Sequence, residues 1–244
     1  MTIHGFNFAV VDASWRHCLE QGLTCMDSAY LKELTHSNTW LPGKDHLFSA
    51  FSLPMDQVNY VLFGESPYPR RESANGYAFW DATVNELWSP TGLSKKVNRA
   101  TSLRNILKML LIAEGMLSPQ DTGQEAIAII NKQTLVQTNQ AFFTNLLQHG
   151  FLLLNASLVL HRQHPKDDAK AWLPFITQVL HGLLQKRPQI KLILLGRIAK
   201  EIDKIIINHP EVEKIYAEHP YNLSFITRPA ILDFFRPLHL LYNG

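Results

Sequence analysis

The stretch FLLLNASL (residues 151–158) is too short and too continuously apolar for a surface helix. An amphipathic helix would interrupt its apolar positions every third or fourth residue, whereas a strand covered on both faces need not. It reads as a central parallel strand. NYVLF (59–63) is a second buried strand, IKLILLG (190–196) a third, closed by glycine, and KIYAEHP (214–220) a fourth that runs into a loop. Helical patterns lie between them. TSLRNILKMLLIAEG (101–115) carries Leu103, Ile106, Leu107, Leu110 and Leu111 on one stripe, with Ser102 near its cap. NQAFFTNLLQHG (139–150) ends at Gly150, the residue that a left-handed C-terminal cap favours. AWLPFITQVLHGLLQKR (171–187) and IAKEIDKIII (198–207) continue the alternation, and an acid-capped helix is expected from Asp12 to about Cys25. Alternating strands and helices imply an α/β protein with a parallel sheet covered on both faces.

The 244 residues show no repeat, low-complexity tract or Ser/Gly-rich linker, so one domain over 1–244 is expected. A formal charge of +2 and a pI near 8.5 are too mild to announce nucleic-acid binding, although a local basic face fits within a balanced total. The two cysteines, Cys18 and Cys25, lack metal-type spacing and are expected on one side of the first helix as small buried hydrophobes. Four thiolates for an iron–sulfur cluster are excluded by count. The N-terminal MTIHGFNFAVVDASW has no basic flank followed by a long apolar core, and no run reaches the about 18 apolar residues that span a bilayer. A soluble, reduced, intracellular monomer without a cofactor is the simplest expectation.

In open parallel sheets the ligand sits beyond the carboxyl ends of the strands. Here those ends are Gly64-Glu65-Ser66, Asn155, Gly196-Arg197 and His219. An asparagine, a histidine and a stiff loop, VLFGESPYP (61–69), are therefore expected to converge.

The residues at these ends carry a resemblance. Gly64-Glu65-Ser66-Pro67-Tyr68-Pro69 stands where the uracil-DNA glycosylase superfamily, closest in its family 1 (Ung-type), has Gly-Gln-Asp-Pro-Tyr-His. Gly76-Tyr77-Ala78-Phe79-Trp80 resembles its Gly-Leu-Ala-Phe-Ser, Thr101-Ser102-Leu103-Arg104-Asn105 its Pro-Ser-Leu-x-Asn, and Leu152-Leu153-Leu154-Asn155 its Leu-Leu-Leu-Asn. Ala171-Trp172 is similar to its Gly-Trp helix start. His219-Pro220-Tyr221-Asn222-Leu223-Ser224 resembles its His-Pro-Ser-Pro-Leu-Ser, and LPGKDHLFSAFSL its lead-in to the first strand. The likeness covers roughly residues 40–244; no single motif is specific, but all stand in order at matching intervals. It implies a three-layer α/β/α fold around a mostly parallel four-stranded sheet. It also implies hydrolysis of the uracil N-glycosidic bond in single- or double-stranded DNA, as in base excision repair.

What the resemblance implies for each residue can be set beside its chemistry. Phe79 takes the place of the aromatic that stacks on a flipped pyrimidine, against the plain alternative of a core phenylalanine. Asn155 offers an adjacent acceptor and donor matching N3–H and O4 of uracil, the reverse of cytosine, although an isolated strand-end asparagine is more often a turn cap. Tyr68 fills the space that a thymine methyl would need. His219 is the donor to O2 of the departing base, where a preorganised hydrogen bond acts on developing charge. Leu223 plugs the vacated stack. Ser102 and Ser224 match phosphate-contacting positions, whereas Arg197 replaces a small residue expected after Gly196 and either adds a charge contact or obstructs the DNA strand's path. Arg70, Arg71, His161 and Arg162 are candidates for a basic rim, and His161 with His164 makes at most a weak metal pair.

One departure matters. The family's aspartate in the first motif places the attacking water and stabilises the cationic sugar, and here that position is Ser66. Two readings stay open. In one, the loop resembles the Gly-Glu-Ala-Pro-Gly pattern of family 4 and Glu65 touches base or water, although family 4's cluster cysteines are absent. In the other, the chain is a degenerate member that binds DNA or a protein partner without excising a base. A small-molecule α/β enzyme sharing only the fold is a third class, opposed by the protruding loop leucine.

Overall fold

The computed structural model describes residues 2–3, 5–161 and 165–242. Its sheet consists of β1 (Tyr60–Gly64), β2 (Phe151–Asn155), β3 (Lys191–Leu195) and β4 (Glu213–Ala217), in the order β2-β1-β3-β4. The pairs β1–β2 and β1–β3 are parallel, with Gly64 opposite Asn155 and Tyr60 opposite Lys191. Helices α1 (Arg16–Thr24), α2 (Thr101–Ala113), α3 (Asn139–Gln148), α4 (Pro165–Lys186) and α5 (Ile198–Ile205) fall where the apolar periodicity placed them. The expected α/β class with a four-stranded parallel sheet is what the chain adopts.

Some boundaries differ for local reasons. The strand in FLLLNASL stops at Asn155, because the next amides leave the ladder: Ala156 N–H bonds the carbonyl of Gly64 and Ser157 N–H that of Glu65. Helix α4 begins at Pro165, six residues before Ala171. Asp12 caps a short 3-10 turn over Ala13–Trp15 that leads into α1. Ser102 does not cap α2; Ala100 holds the cap position without a side-chain bond, and Ser102 lies in the first turn. Cys25 follows the end of α1 and is exposed, so only Cys18 is the buried thiol expected.

The chain clusters into two compact units, each assembled from separate segments: residues 1–78, 150–194 and 198–214 in the first, and 79–149, 195–197 and 215–244 in the second. In the first, α1 packs on α4 at unusually close range. A Cβ on Gly22 would meet the Phe175 ring at 2.7 Å, and one on Gly182 the Cys18 sulfur at 2.7 Å. Trp15, Phe48, Phe51 and Phe175 form a fully buried aromatic cluster beside this seam. Trp15 Nε1 donates to the Leu53 carbonyl at 2.7 Å, so the indole's polar atom is satisfied. A further helix, Ser28–His36, is started by the Asp27 carboxylate, which accepts from Tyr30 N–H.

The second unit is built around α2. Leu103, Leu107 and Leu111 are fully buried, as the stripe requires. Asn139 Nδ2 donates to the Asp81 carbonyl at 2.9 Å and fastens the start of α3. Trp80 stacks on Phe143 of α3, ring centroids 4.9 Å apart and planes within 7°. Among the described residues no helix is long and apolar enough to cross a membrane.

Candidate active site

In the first unit, the site residues follow from the β1–β2 register. Pairing Gly64 with Asn155 places the two strand ends side by side. Asn155 is buried, 3% exposed, and its side chain folds over Gly64 so closely that a Cβ there would collide with Oδ1 and lie 2.9 Å from the Ala78 methyl. Glycine is required at 64 by the amide above it, and Asn155 is held in one place by that fit. Beyond Gly64, the Glu65 carbonyl is tied to Ser157 N–H at 3.0 Å, Pro67 is buried, and Ser66 and Tyr68 are half-buried. Glu65 is exposed. Ser157 Oγ donates to the Val159 carbonyl at 2.6 Å and shapes the turn after Asn155. Ala78 N–H donates to the Leu153 carbonyl at 3.1 Å, which returns the long loop from β1 to the edge of β2.

In the second unit, Phe79 has φ of +63°, a left-handed conformation that costs a bulky residue energy and persists only when its surroundings enforce it. Its ring lies 5.9 Å from that of His219 at 42°. Trp80, the next residue, instead stacks on Phe143. The His219 segment approaches Gly196, whose N–H donates to the Ala217 carbonyl at 2.9 Å. Gly196 has φ of +66°, and a Cβ there would stand 2.9 Å from that of His219.

The proton on His219 is placed by the backbone. Tyr221 N–H donates to His219 Nδ1 at 3.1 Å, so Nδ1 presents its lone pair and the ring's own proton resides on Nε2. The loop carrying it is anchored to α2, where buried Asn105 Nδ2 donates to the Pro220 carbonyl at 2.6 Å. Asn222 N–H closes a turn to the His219 carbonyl at 2.9 Å. From this braced loop Leu223 projects, 60% exposed, followed by exposed Ser224. Arg197 is exposed after Gly196, and Ser102 lies half-buried in the first turn of α2, where helix amides face outward.

Arg71 donates from Nη2 to the Asn38 carbonyl at 2.9 Å and is exposed, as is Arg70. His161 Nδ1 pairs with Asp168 at 2.7 Å, and Asp168, 2% exposed, also accepts from Tyr30 OH at 2.8 Å. Burial and this carboxylate push the Tyr30 phenol well above its ordinary range. Arg162 and His164 lie outside the described residues. No group of three or more metal-ligating side chains occurs among the described residues. Tyr221, 70% exposed, escaped the sequence reading; an aromatic in a polar loop was its one available signal.

A parallel four-stranded sheet with helices around it, ending in a buried amide at Asn155, defines an α/β protein. Its relatives are specific. A UNG crystal structure from Nitratifractor salsuginis matches with a TM-score of 0.91 and 39% identity, covering 97% of this chain and 96% of that one. The uracil-DNA glycosylase of Streptococcus mutans is 28% identical over 84% of this chain and 80% of its own length. That of Thermobifida fusca is 25% identical over 88% and 82%. No protein-family model matches the sequence. The chain belongs to the uracil-DNA glycosylase family, UNG type.

Proposed function

We propose that this chain excises uracil from DNA by hydrolysing its N-glycosidic bond, the opening step of base excision repair, and acts as a monomer inside the cell. The observation that carries this is the near-complete match to a UNG structure at 39% identity. The uracil is turned out of the helix, where Asn155 reads N3–H and O4, Phe79 lies on its face and Tyr68 rejects a 5-methyl group. As the C1′–N1 bond breaks, its electron pair passes into the uracil ring. The Nε2–H of His219 donates to O2, where charge accumulates. A water adds its oxygen to C1′ and gives up a proton, which neutralises the departing uracil anion, leaving free uracil and an abasic sugar.

The neutral hydroxyl of Ser66 orients this water, and the Glu65 carboxylate supplies the negative charge that the family's aspartate would provide. Leu223 enters the vacated stack, while Ser102, Ser224 and Arg197 hold phosphates. Removing one preorganised donor of this kind costs about 3–4 kcal/mol of transition-state stabilisation, so His219→Ala should lower kcat by about 100- to 1,000-fold.

The deciding measurement is abasic-site formation on single- and double-stranded DNA containing uracil, with cytosine, thymine, hypoxanthine and xanthine as alternatives. Product from uracil is expected. DNA binding without product from any base would overturn excision and leave a binding protein. Glu65→Gln should slow the reaction; unchanged rates would remove that carboxylate from the mechanism. A gain from Ser66→Asp would show that the hydroxyl is the weaker group at its position.

A further inference from the structure

Tyr221 lies in the loop that carries His219, and the mechanism above leaves it without a task. Its side chain is 70% exposed, against 60% for Leu223 two residues on. Their shared backbone is not loose. The Pro220 carbonyl is held by buried Asn105, Tyr221 N–H by His219 Nδ1, and Asn222 N–H by the His219 carbonyl. The loop is rooted through Phe225 and Ile226, 1% and 3% exposed. An aromatic ring in water on a braced backbone is an unfavourable arrangement for stability alone. It is a favourable one for binding, because little backbone entropy remains to be lost when a partner covers the ring.

The position of the ring limits what that partner is. Two residues span at most about 7 Å, so Tyr221 stands within reach of groups next to those that His219 touches. Stacked bases repeat about every 3.4 Å along a strand, which puts the neighbouring base steps within that reach. Each base has an apolar face, and aromatic side chains stack on it without regard to sequence.

We infer that Tyr221 is a second DNA-probing side chain, stacking on a base that flanks the uracil while Leu223 fills the gap left by the extruded nucleotide. The assignment rests on the proposed excision activity. Two prongs hold the distorted duplex from one loop, and Tyr221 stabilises the opened step rather than the leaving base. Its importance is therefore greatest where a stack must be broken, in duplex DNA, and small on a flexible single strand.

Excision should be measured on matched single- and double-stranded uracil substrates with Tyr221→Ala and Tyr221→Phe. Stacking of this kind justifies a loss of about tenfold in kcat/KM on the duplex for Tyr221→Ala. Under twofold change is expected on the single strand, with recovery in Tyr221→Phe. Both variants keep the backbone N–H that orients His219, so a general collapse of the site is not anticipated. Binding to a duplex with a stable abasic analogue, flanked on either side by 2-aminopurine, gives a readout independent of catalysis. The wild-type and Phe proteins should change the 2-aminopurine fluorescence on one side, and the Ala protein should not. Equal losses on both substrates, no loss on the duplex, or a fluorescence response unchanged by Tyr221→Ala would overturn the assignment. A wild-type protein that excises nothing would instead overturn the excision reading, and the fluorescence comparison would still judge Tyr221.

Discussion

Gly64 shows how one missing side chain positions another. The Asn155 amide lies where a Cβ on residue 64 would be, with the Ala78 methyl closing the other side. Asn155 is 3% exposed, so its Oδ1 has little room to retreat. Gly64→Ala should therefore displace the amide. Overpacking of this size costs about 1–3 kcal/mol of stability, which unfolding by urea would measure. The larger effect should be on uracil excision, by about 100-fold, since a buried polar pair that no longer aligns leaves its groups unsatisfied. A loss of activity no greater than the loss of folded protein would refute this positioning role. From sequence, Gly64 was visible as a strand-ending glycine, but the reason for it was not. That reason is a contact between residues 91 positions apart, and no local pattern records it. The same holds for Gly196 and the Cβ of His219. Phe79 and Trp80 were ambiguous for a related reason: only tertiary contacts distinguish them, Trp80 stacking on Phe143 and Phe79 lying beside His219.

At the scale of elements, strands and long helices were legible because each rests on its own periodicity. The short helix Ser28–His36 was not, since only Leu31 and Leu34 of its residues are fully turned to the core. The exposure of Cys25 was missed because α1 ends one residue before it, and the shared helix face assumed for both cysteines ends there too. Cys18 has the opposite fate. It sits in the α1–α4 seam against Gly182, 7% exposed, with Sγ directed to the Gln178 carbonyl at 3.7 Å. Burial pushes its thiol up from 9.0 to about 11, opposed slightly by Lys186. Above pH 9 the unfolded thiol ionises while the folded one remains protonated, so stability is full below pH 9 and is lost as pH rises through 11. That rise corresponds to about 2–3 kcal/mol. Cys18→Ala should flatten the alkaline fall of urea stability between pH 9 and 11. A residual slope is expected from Tyr30 and Tyr77, whose phenols burial also raises. An identical slope in wild type and Cys18→Ala would show that the thiol is not buried as this seam requires.

At the scale of the whole molecule, the charge balance sets how DNA is held. Lys and Arg number 23 against 21 Asp and Glu, a net of +2, so no strong overall field draws a polyanion in. Binding must come from a few local contacts. Such contacts are countable, because each phosphate neutralised releases counterions and contributes about −0.9 to the slope of log K against log salt on duplex DNA. Arg197 is the cation among the proposed phosphate contacts; Ser102 and Ser224 are neutral and add hydrogen bonds without a counterion term. Its charge is exposed beside a glycine with φ of +66°, on a turn that backbone bonding holds to Ala217. Arg197→Ala should therefore weaken duplex binding uniformly across sequences and make the slope shallower by about 0.9. Ser224→Ala should weaken binding and leave the slope alone. Titrating a labelled duplex against each protein from low to moderate salt separates the two. A slope that Arg197→Ala leaves unchanged would mean that this side chain meets no phosphate. The weak net charge would then leave base stacking by the His219 loop as the main source of affinity.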